Sequence, residues 1–357
     1  MEAQNSSMSF KNQDLFIGLD VHKKNWLVTI RCGKIVLKTF SMDPIAQKLG
    51  EYMTRNYPEG NYYSVYEAGF CGYRVHRDLE KAGIRNIIAA PTEIPTSISE
   101  KTNKTDPVDS RKLARELENR TLKGIYIPEK LQEEIRSLVR LRFQLVKTQT
   151  RLKNQIKGYL NFYGHELPKN FEMRHWSARF IEVLRNMEFE YPIGKQHLKI
   201  LLDELTDKRK KLCEVQKSIK EFLCEYNLNE KVIHLCTVPG IGYTTAATLY
   251  TEIMDPNRFK DFDKLASYCG LVPAIRSSGD KQTVLGIKFH HNLRIRQLLV
   301  EAAWMAIRKD PALTLAYTNY IKRMSKQEAI IRIAKKLLSR IRYVWTTGNK
   351  YSNAVIK

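Results

Sequence analysis

Residues 104–120, KTDPVDSRKLARELENR, decide how the first part of the chain is read. Asp106 and Asp109 stand three residues apart, and Leu113, Ala114 and Leu117 follow at helical spacing. Pro107 suits a first helical turn, where its missing N–H would have no partner anyway. The stretch therefore predicts a helix that opens at Asp106. Residues at i and i+3 share one face of a helix. Two carboxylates on one face repel unless a cation lies between them, and a hard divalent ion takes such oxygens. The simpler reading is an Asp cap with a second Asp favouring the helix dipole. The residues upstream decide between the two.

Residues 15–21, LFIGLDV, predict a buried strand ending near Asp20. NWLVTIRC and KIVLKTF follow as two more strands, with Gly33 between them. A polar helix is expected around 43–56, then a strand YYSVYE ending at Glu67. AGFCG leads into a helix over GYRVHRDLEKAG, and IRNIIAA is the fifth strand. Three hairpin strands, helix, strand, helix, strand, helix is the order of a ribonuclease-H-like α/β fold. In that fold the first and fourth strands are neighbours, so Asp20, Glu67, Asp106 and Asp109 can converge. Two Mg²⁺ ions roughly 3.5–4 Å apart can clamp the attacking and leaving oxygens of a phosphodiester.

The composition agrees with a polyanionic partner. Sixty Lys and Arg against 38 Asp and Glu leave a formal charge of +22, which favours nucleic acid over a membrane surface. No apolar run approaches the roughly 20 residues of a membrane span. The start, MEAQNSSMSFKNQ, lacks the apolar core of a signal peptide and reads as a flexible lead-in over 1–13. The cysteines Cys32, Cys71, Cys213, Cys224, Cys236 and Cys269 are scattered without a CxxC. That argues against a zinc ribbon or a disulfide framework and fits a cytoplasmic protein.

From Leu131 the spacing becomes heptad. Leu131, Leu138, Leu145, Leu152 and Tyr159 form one seam, and Ile135, Arg142, Gln149 and Ile156 the other. The polar Arg142 and Gln149 read as a register device. A second run takes Leu201, Leu205, Lys208, Leu212, Val215, Ile219, Phe222 and Tyr226. As one helix, 196–226 would span about 45 Å at about 1.5 Å per residue. Gly164 and Pro168 break the period between the runs, which could pair with each other or with another subunit.

VIHLCTVPGIGYTTAATLYTEI, at 232–253, has the pattern of a helix–hairpin–helix. Gly240 and Gly242 would let backbone N–H groups approach a phosphate. Beyond it, Pro273, Arg276, Ser277, Ser278 and Gly279 read as a loop, followed by a basic stretch and an apolar helix from about Asn292 to Ile307. Arg276, Lys281, Lys288 and Arg294 are the expected nucleic-acid contacts of that region. A last basic amphipathic helix is expected over 325–345.

Together these stretches resemble the DEDD transposases of insertion sequences, the group that includes Piv-type DNA invertases. FIGLDVHKKNW, VYEAGFCGYRVHRDLEKAGI and KTDPVDSRKLA carry the likeness in the first half. VPGIGYTTAATLYTEI, FKDFDKLASYCGLVP, RSSG and LRIRQLLVEAAW carry it in the second. The resemblance implies a RuvC-like domain whose acids Asp20, Glu67, Asp106 and Asp109 bind Mg²⁺, with Mn²⁺ as the substitute. It implies a coiled-coil arm for assembly into a dimer or tetramer. It also implies a serine nucleophile, Ser278 with Ser277 as second candidate, forming a phosphoserine link to DNA. Donor and target DNA are the implied substrates, guided by a bridge RNA. One departure is His291 before Asn292, where the family often has glycine.

The segments expected on this reading are 1–13, a RuvC-like domain at 14–128, the arm at 129–228, a serine-bearing domain at 229–323 and a basic tail at 324–357. The competing enzyme reading is a metal-only junction nuclease or resolvase with Ser278 structural. The non-enzymatic one is a nucleic-acid-binding protein whose acidic cluster is inert.

Overall fold

The computed structural model describes residues 10–95, 106–166, 176–278, 281–287 and 291–352; the side chains of 106, 274–278, 281–285 and 287 lie outside that description. The chain forms two compact units, Met1–Ile127 and Pro128–Lys357.

The first unit is built on a mixed five-stranded sheet. β1 (Asp14–Val21), β2 (Trp26–Cys32) and β3 (Ile35–Met42) form an antiparallel meander. β4 (Asn61–Glu67) lies parallel to β1, and β5 (Arg85–Ala89) parallel to β4. The order β3-β2-β1-β4-β5 makes the first and fourth strands neighbours. Alternation assigns the two faces. Leu15, Ile17 and Leu19 of β1 join Val28, Ile30 and Tyr66 in a core with α1 (Ala46–Asn56) and α2 (Arg74–Lys81). Gly18 of β1 and Val65 of β4 turn the other way, toward α3 (Asp106–Glu118). Of the expected flexible lead-in, residues 10–13 are tied down: Phe10 sits edge-on to Tyr57 with ring centres 5.0 Å apart, and exposed Asn12 and Gln13 make backbone hydrogen bonds to Glu59 and Asn61.

In the second unit, α4 (Lys130–Phe162) and α6 (Pro192–Glu225) run antiparallel, with the short α5 (Ala178–Arg185) between them in sequence. Leu152, Ile156 and Leu160 meet Leu198, Leu202 and Leu205 near the tip. Ile135 and Val139 share a core with Ile219 and Leu223 at the base. The Gln149 amide donates to the Lys208 carbonyl at 3.2 Å, a polar pin on the register of the pair. The seam expected on the second helix needs correction. Its buried residues are Leu198, Leu202, Leu205, Ile219 and Leu223, whereas Phe222 and Tyr226 are exposed. Pro168 lies outside the described residues.

The rest of the unit is mainly helical. α7 (Asn229–Leu235) and α8 (Tyr243–Ile253) flank the Pro-Gly-Ile-Gly turn, and α9 (Phe262–Tyr268) follows. β6 (Pro273–Ser278) and β7 (Lys281–Ile287) form an antiparallel hairpin. The sequence reading of a loop there is thereby corrected. α10 (Leu293–Ala306), α11 (Pro311–Ile321) and α12 (Lys326–Thr347) close the chain. α12 begins with a capping box, in which Ser325 and Glu328 satisfy each other's backbone N–H. Among the described residues no helix is long and apolar enough to cross a membrane.

Candidate active site and nucleic-acid-binding elements

Leu19 pairs with Tyr66 in the parallel register of β1 and β4. The next residue on each strand is an acid, so Asp20 and Glu67 stand side by side at the two C-terminal strand ends. Strand alternation puts both on the face that Gly18 and Val65 present to α3. The Asp20 side chain is 23% exposed, and its Oδ2 lies 3.1 Å from His22 Nε2. Behind Glu67, the Tyr66 hydroxyl donates to the Gly72 carbonyl at 3.0 Å and accepts from the His76 N–H at 3.1 Å. Burial pushes the Tyr66 phenol above its ordinary range, so it stays a neutral donor. The Ala68 N–H donates to the Ala89 carbonyl at 2.9 Å and carries the pairing one step past Glu67.

Asp109 arrives on α3. The helix comes so close to β1 that a Cβ on Gly18 would stand 2.0 Å from the Ser110 carbonyl oxygen. The Ser110 hydroxyl is 2.9 Å from that of Thr29, a buried contact onto β2. At the far end of the helix, Arg31 Nε donates to Glu118 at 2.8 Å. The first turn, with Asp109, is therefore held over the sheet by its neighbour Ser110. Asp109 Oδ1 accepts from Lys112 Nζ at 3.0 Å, with the two side chains only 18% and 10% exposed. Asp106 opens the helix, and its side chain lies outside the described residues.

These are hard oxygen donors, the set that Mg²⁺ or Mn²⁺ prefers. An ammonium group already lies against one of them, so the site draws positive charge. Among the described residues no three acids, histidines or cysteines are close enough to hold an ion as they stand. The donor chemistry fits a divalent cation, and the elements carrying Asp20, Glu67 and Asp109 meet on one face.

The second group of candidates lies in the other unit. Ser278 ends β6 and pairs with Lys281, while Ser277 pairs with Gln282 and Arg276 with Thr283. Ser278 is thus at the turn end of the hairpin, one residue beyond Ser277 along β6. Gly279 and Lys288 lie outside the described residues. Gly240 has φ +83°, and a Cβ on it would meet the Ala302 carbonyl at 2.3 Å, so it is needed for packing on α10. Gly242 is the N-cap of α8 with no side-chain cap, and nothing lies within 4 Å of its Cβ position. Arg294 sits in the first turn of α10. A cation there opposes the helix dipole, which an anion nearby would offset.

Sequence reasoning missed a buried carboxylate in this unit. Glu252 of α8 is fully buried and accepts from Arg140 at 2.8 and 2.9 Å and from the Asn292 amide at 2.9 Å. Burial alone would raise its pKa, but the Arg140 fork and charge, with Arg136 and Asn292, hold it below the ordinary glutamate value. Asn292 also caps α10 through the Ile295 N–H. Glu252 therefore ties α4 and α8 to the helix that follows the serine hairpin. The His291 ring lies over Gly270, where a Cβ would come within 2.3 Å of it, so the departure at His291 has a packing seat.

Comparison with known proteins bears on both units. A DEDD transposase model of the IS110 group, described as Transposase, matches residues 17–165. A model described as Transposase IS116/IS110/IS902 family matches residues 233–318. The Sinorhizobium fredii protein y4qE, named as a transposase, is 30% identical, over 82% of this chain and 72% of its own. The transposase for insertion sequence element IS1111A of Coxiella burnetii is 27% identical, over 74% of this chain and 73% of its own. The pilin gene-inverting protein of Moraxella bovis is 34% identical over 32% of this chain and 37% of its own.

Proposed function

The chain belongs to the IS116/IS110/IS902 transposase family, DNA-recombining enzymes, and from that premise we propose that it cuts and rejoins DNA with two chemically distinct groups. One is a divalent cation, Mg²⁺ by preference, held by Asp20, Glu67, Asp106 and Asp109. The other is the hydroxyl of Ser278. The juxtaposition of Asp20 and Glu67 beneath α3 carries the first half of this reading.

The strand order supports a ribonuclease-H-like, RuvC-type assignment for 14–128. When bound, the cation supplies charge to polarise the scissile phosphate and steady the displaced oxygen. Lys112 would release Asp109 as the cation takes its place. Ser278 Oγ forms a bond to phosphorus, one DNA oxygen leaves and takes up a proton, and the hydroxyl proton is passed to solvent or a nearby base. The phosphoserine link keeps the phosphodiester energy, so a second DNA hydroxyl can displace the serine without ATP. Its position at a hairpin's turn end supports access for a strand.

The remaining parts supply binding. The α4–α6 pair is the coiled-coil arm through which copies assemble, spanning most of 129–228. The α7–α8 hairpin, with the open N–H groups at Gly242, together with Arg276, Lys281, Lys288 and Arg294 of 229–323, contacts nucleic-acid backbone; Gly240 shapes the turn. The basic helix of 324–357 adds charge. A surplus of +22 suits DNA and a bridge RNA held together.

The test is Asp20→Asn and Glu67→Gln on a labelled donor substrate with Mg²⁺. Both variants should bind DNA like the parent and lose cleavage by a factor of 100 or more. Cleavage retained within threefold in both would remove the carboxylate site from the mechanism.

A further inference from the structure

Lys112 lies one turn beyond Asp109 on α3, with its Nζ 3.0 Å from Asp109 Oδ1. Helix pairs at this spacing mostly stand in water, where they contribute little. In the same unit, Lys48 and Asp43 are such a surface pair, 54% and 63% exposed. Lys112 and Asp109 are different, at 10% and 18%. Lysines are seldom so enclosed unless paired. Among the described residues Asp109 gives Lys112 its one hydrogen bond, although an ammonium carries three donors.

The helix has other anchors. Ser110 seats α3 on Thr29, Glu118 on Arg31, and Leu113 joins Val65 and Ala89 in an apolar cluster. An apolar residue of similar volume often serves a fold as well as a buried ion pair does. The charge at 112 is therefore better explained by the acids beside it. Carboxylates at Asp20, Glu67, Asp106 and Asp109 repel one another in the absence of a cation, and Lys112 offsets one of the four. It also competes. When Asp109 turns to a divalent ion, the enclosed ammonium loses its acceptor, which is costly until another anion reaches it. The scissile phosphate, drawn to the same centre, is that anion.

We propose that Lys112 is a resident counter-ion, which holds Asp109 until DNA arrives and then passes to the scissile phosphate. No bond is made or broken and no proton moves; the ammonium exchanges one anionic oxygen for another. The divalent ion and the DNA are then taken up together, each raising the affinity for the other. This inference rests on the cation reading of the four acids given above, and its test keeps the two separable.

The full chain is titrated with Mn²⁺, followed through the electron paramagnetic resonance of the free ion. The titration is run without nucleic acid, then with donor duplex and the proposed bridge RNA, whose own Mn²⁺ uptake is subtracted. Without nucleic acid, Lys112→Met should bind Mn²⁺ about tenfold more tightly than the parent, since one opposing charge is gone. Lys112→Arg keeps the charge and should stay near the parent. Asp20→Asn added to Lys112→Met should cancel the gain. With DNA the parent's affinity should rise severalfold, and that of Lys112→Met by less. The rise in melting temperature on adding Mn²⁺ should be larger for Lys112→Met than for the parent, whereas a merely structural lysine would leave that rise unchanged. If Lys112→Met does not fold, Lys112→Gln takes its place. Mn²⁺ bound no more tightly by the uncharged variant than by the parent, while Asp20→Asn weakens both, overturns the inference and leaves the cation reading standing. An equal rise with DNA in parent and variant overturns the transfer to phosphate. Mn²⁺ binding that Asp20→Asn changes in neither background overturns both readings.

Discussion

Gly18 lies directly beneath Ser110, and a methyl group on Gly18 would stand 2.0 Å from the Ser110 carbonyl oxygen and 2.5 Å from the Ala114 nitrogen. Both obstacles are helix backbone, which cannot swing aside as a side chain can. This contact sets how near α3, and with it Asp109, comes to Asp20 and Glu67.

Gly18→Ala should therefore displace α3 and loosen the acidic site. Overpacking of this kind costs about 1–3 kcal/mol, so the melting temperature should fall by several degrees. Cleavage should drop further than stability accounts for at a temperature where the variant remains folded. A variant with parental melting and cleavage would show that α3 docks without needing this glycine.

The two glycines of the α7–α8 turn should behave differently. Gly240→Ala meets backbone at 2.3 Å with φ +83°, so it should lower the melting temperature. Gly242→Ala has open space and an ordinary φ of −87°, so melting should fall only by the small loss of a poorer N-cap. If the α8 N-terminus contacts a phosphate, Gly242→Ala weakens DNA binding severalfold and Gly240→Ala acts mainly through folding. Equal melting losses in both would contradict this division.

Glu252 makes a prediction about pH. Its folded pKa lies below the ordinary value because Arg140, Arg136 and Asn292 outweigh burial. A depressed carboxylate pKa stabilises the fold above the unfolded pKa, about 4.3, and that stability is lost as pH falls through the folded value. Glu252→Gln should lower stability at pH 7 and flatten the acid limb below about pH 4.3. Breaking a buried pair costs about 3–5 kcal/mol, and Arg140, 41% exposed, can turn to water, so the loss should be smaller. Melting curves from pH 3 to 7 check both parts; an acid limb as steep in the variant as in the parent would rule Glu252 out as its source.

The sequence displayed the sheet better than the arm. β1, β2 and β4 are short apolar runs with three consecutive buried residues each, so their bounds and the strand-end acids were readable. Their adjacency followed from strand order. The α6 seam was misread because Leu198, Ile200, Leu201, Leu202 and Leu205 admit more than one helical frame, and only contact with α4 selects Leu198, Leu202 and Leu205. The β6–β7 hairpin hid behind Pro273 and two serines, although Gly279-Asp280 between two apolar-bearing runs is a two-residue turn signal. α11 was passed over despite Asp310 and Pro311, a cap followed by a first-turn proline.

The serine carries the central claim most openly. Labelled donor DNA is incubated with Mg²⁺ and parent, Ser277→Ala or Ser278→Ala protein, together with the proposed bridge RNA, and resolved on a denaturing gel. Parent and Ser277→Ala should give a protein–DNA adduct that protease removes, and Ser278→Ala should give none while still binding DNA. An adduct formed by Ser278→Ala, or cleaved DNA with free ends and no adduct in the parent, would contradict the account.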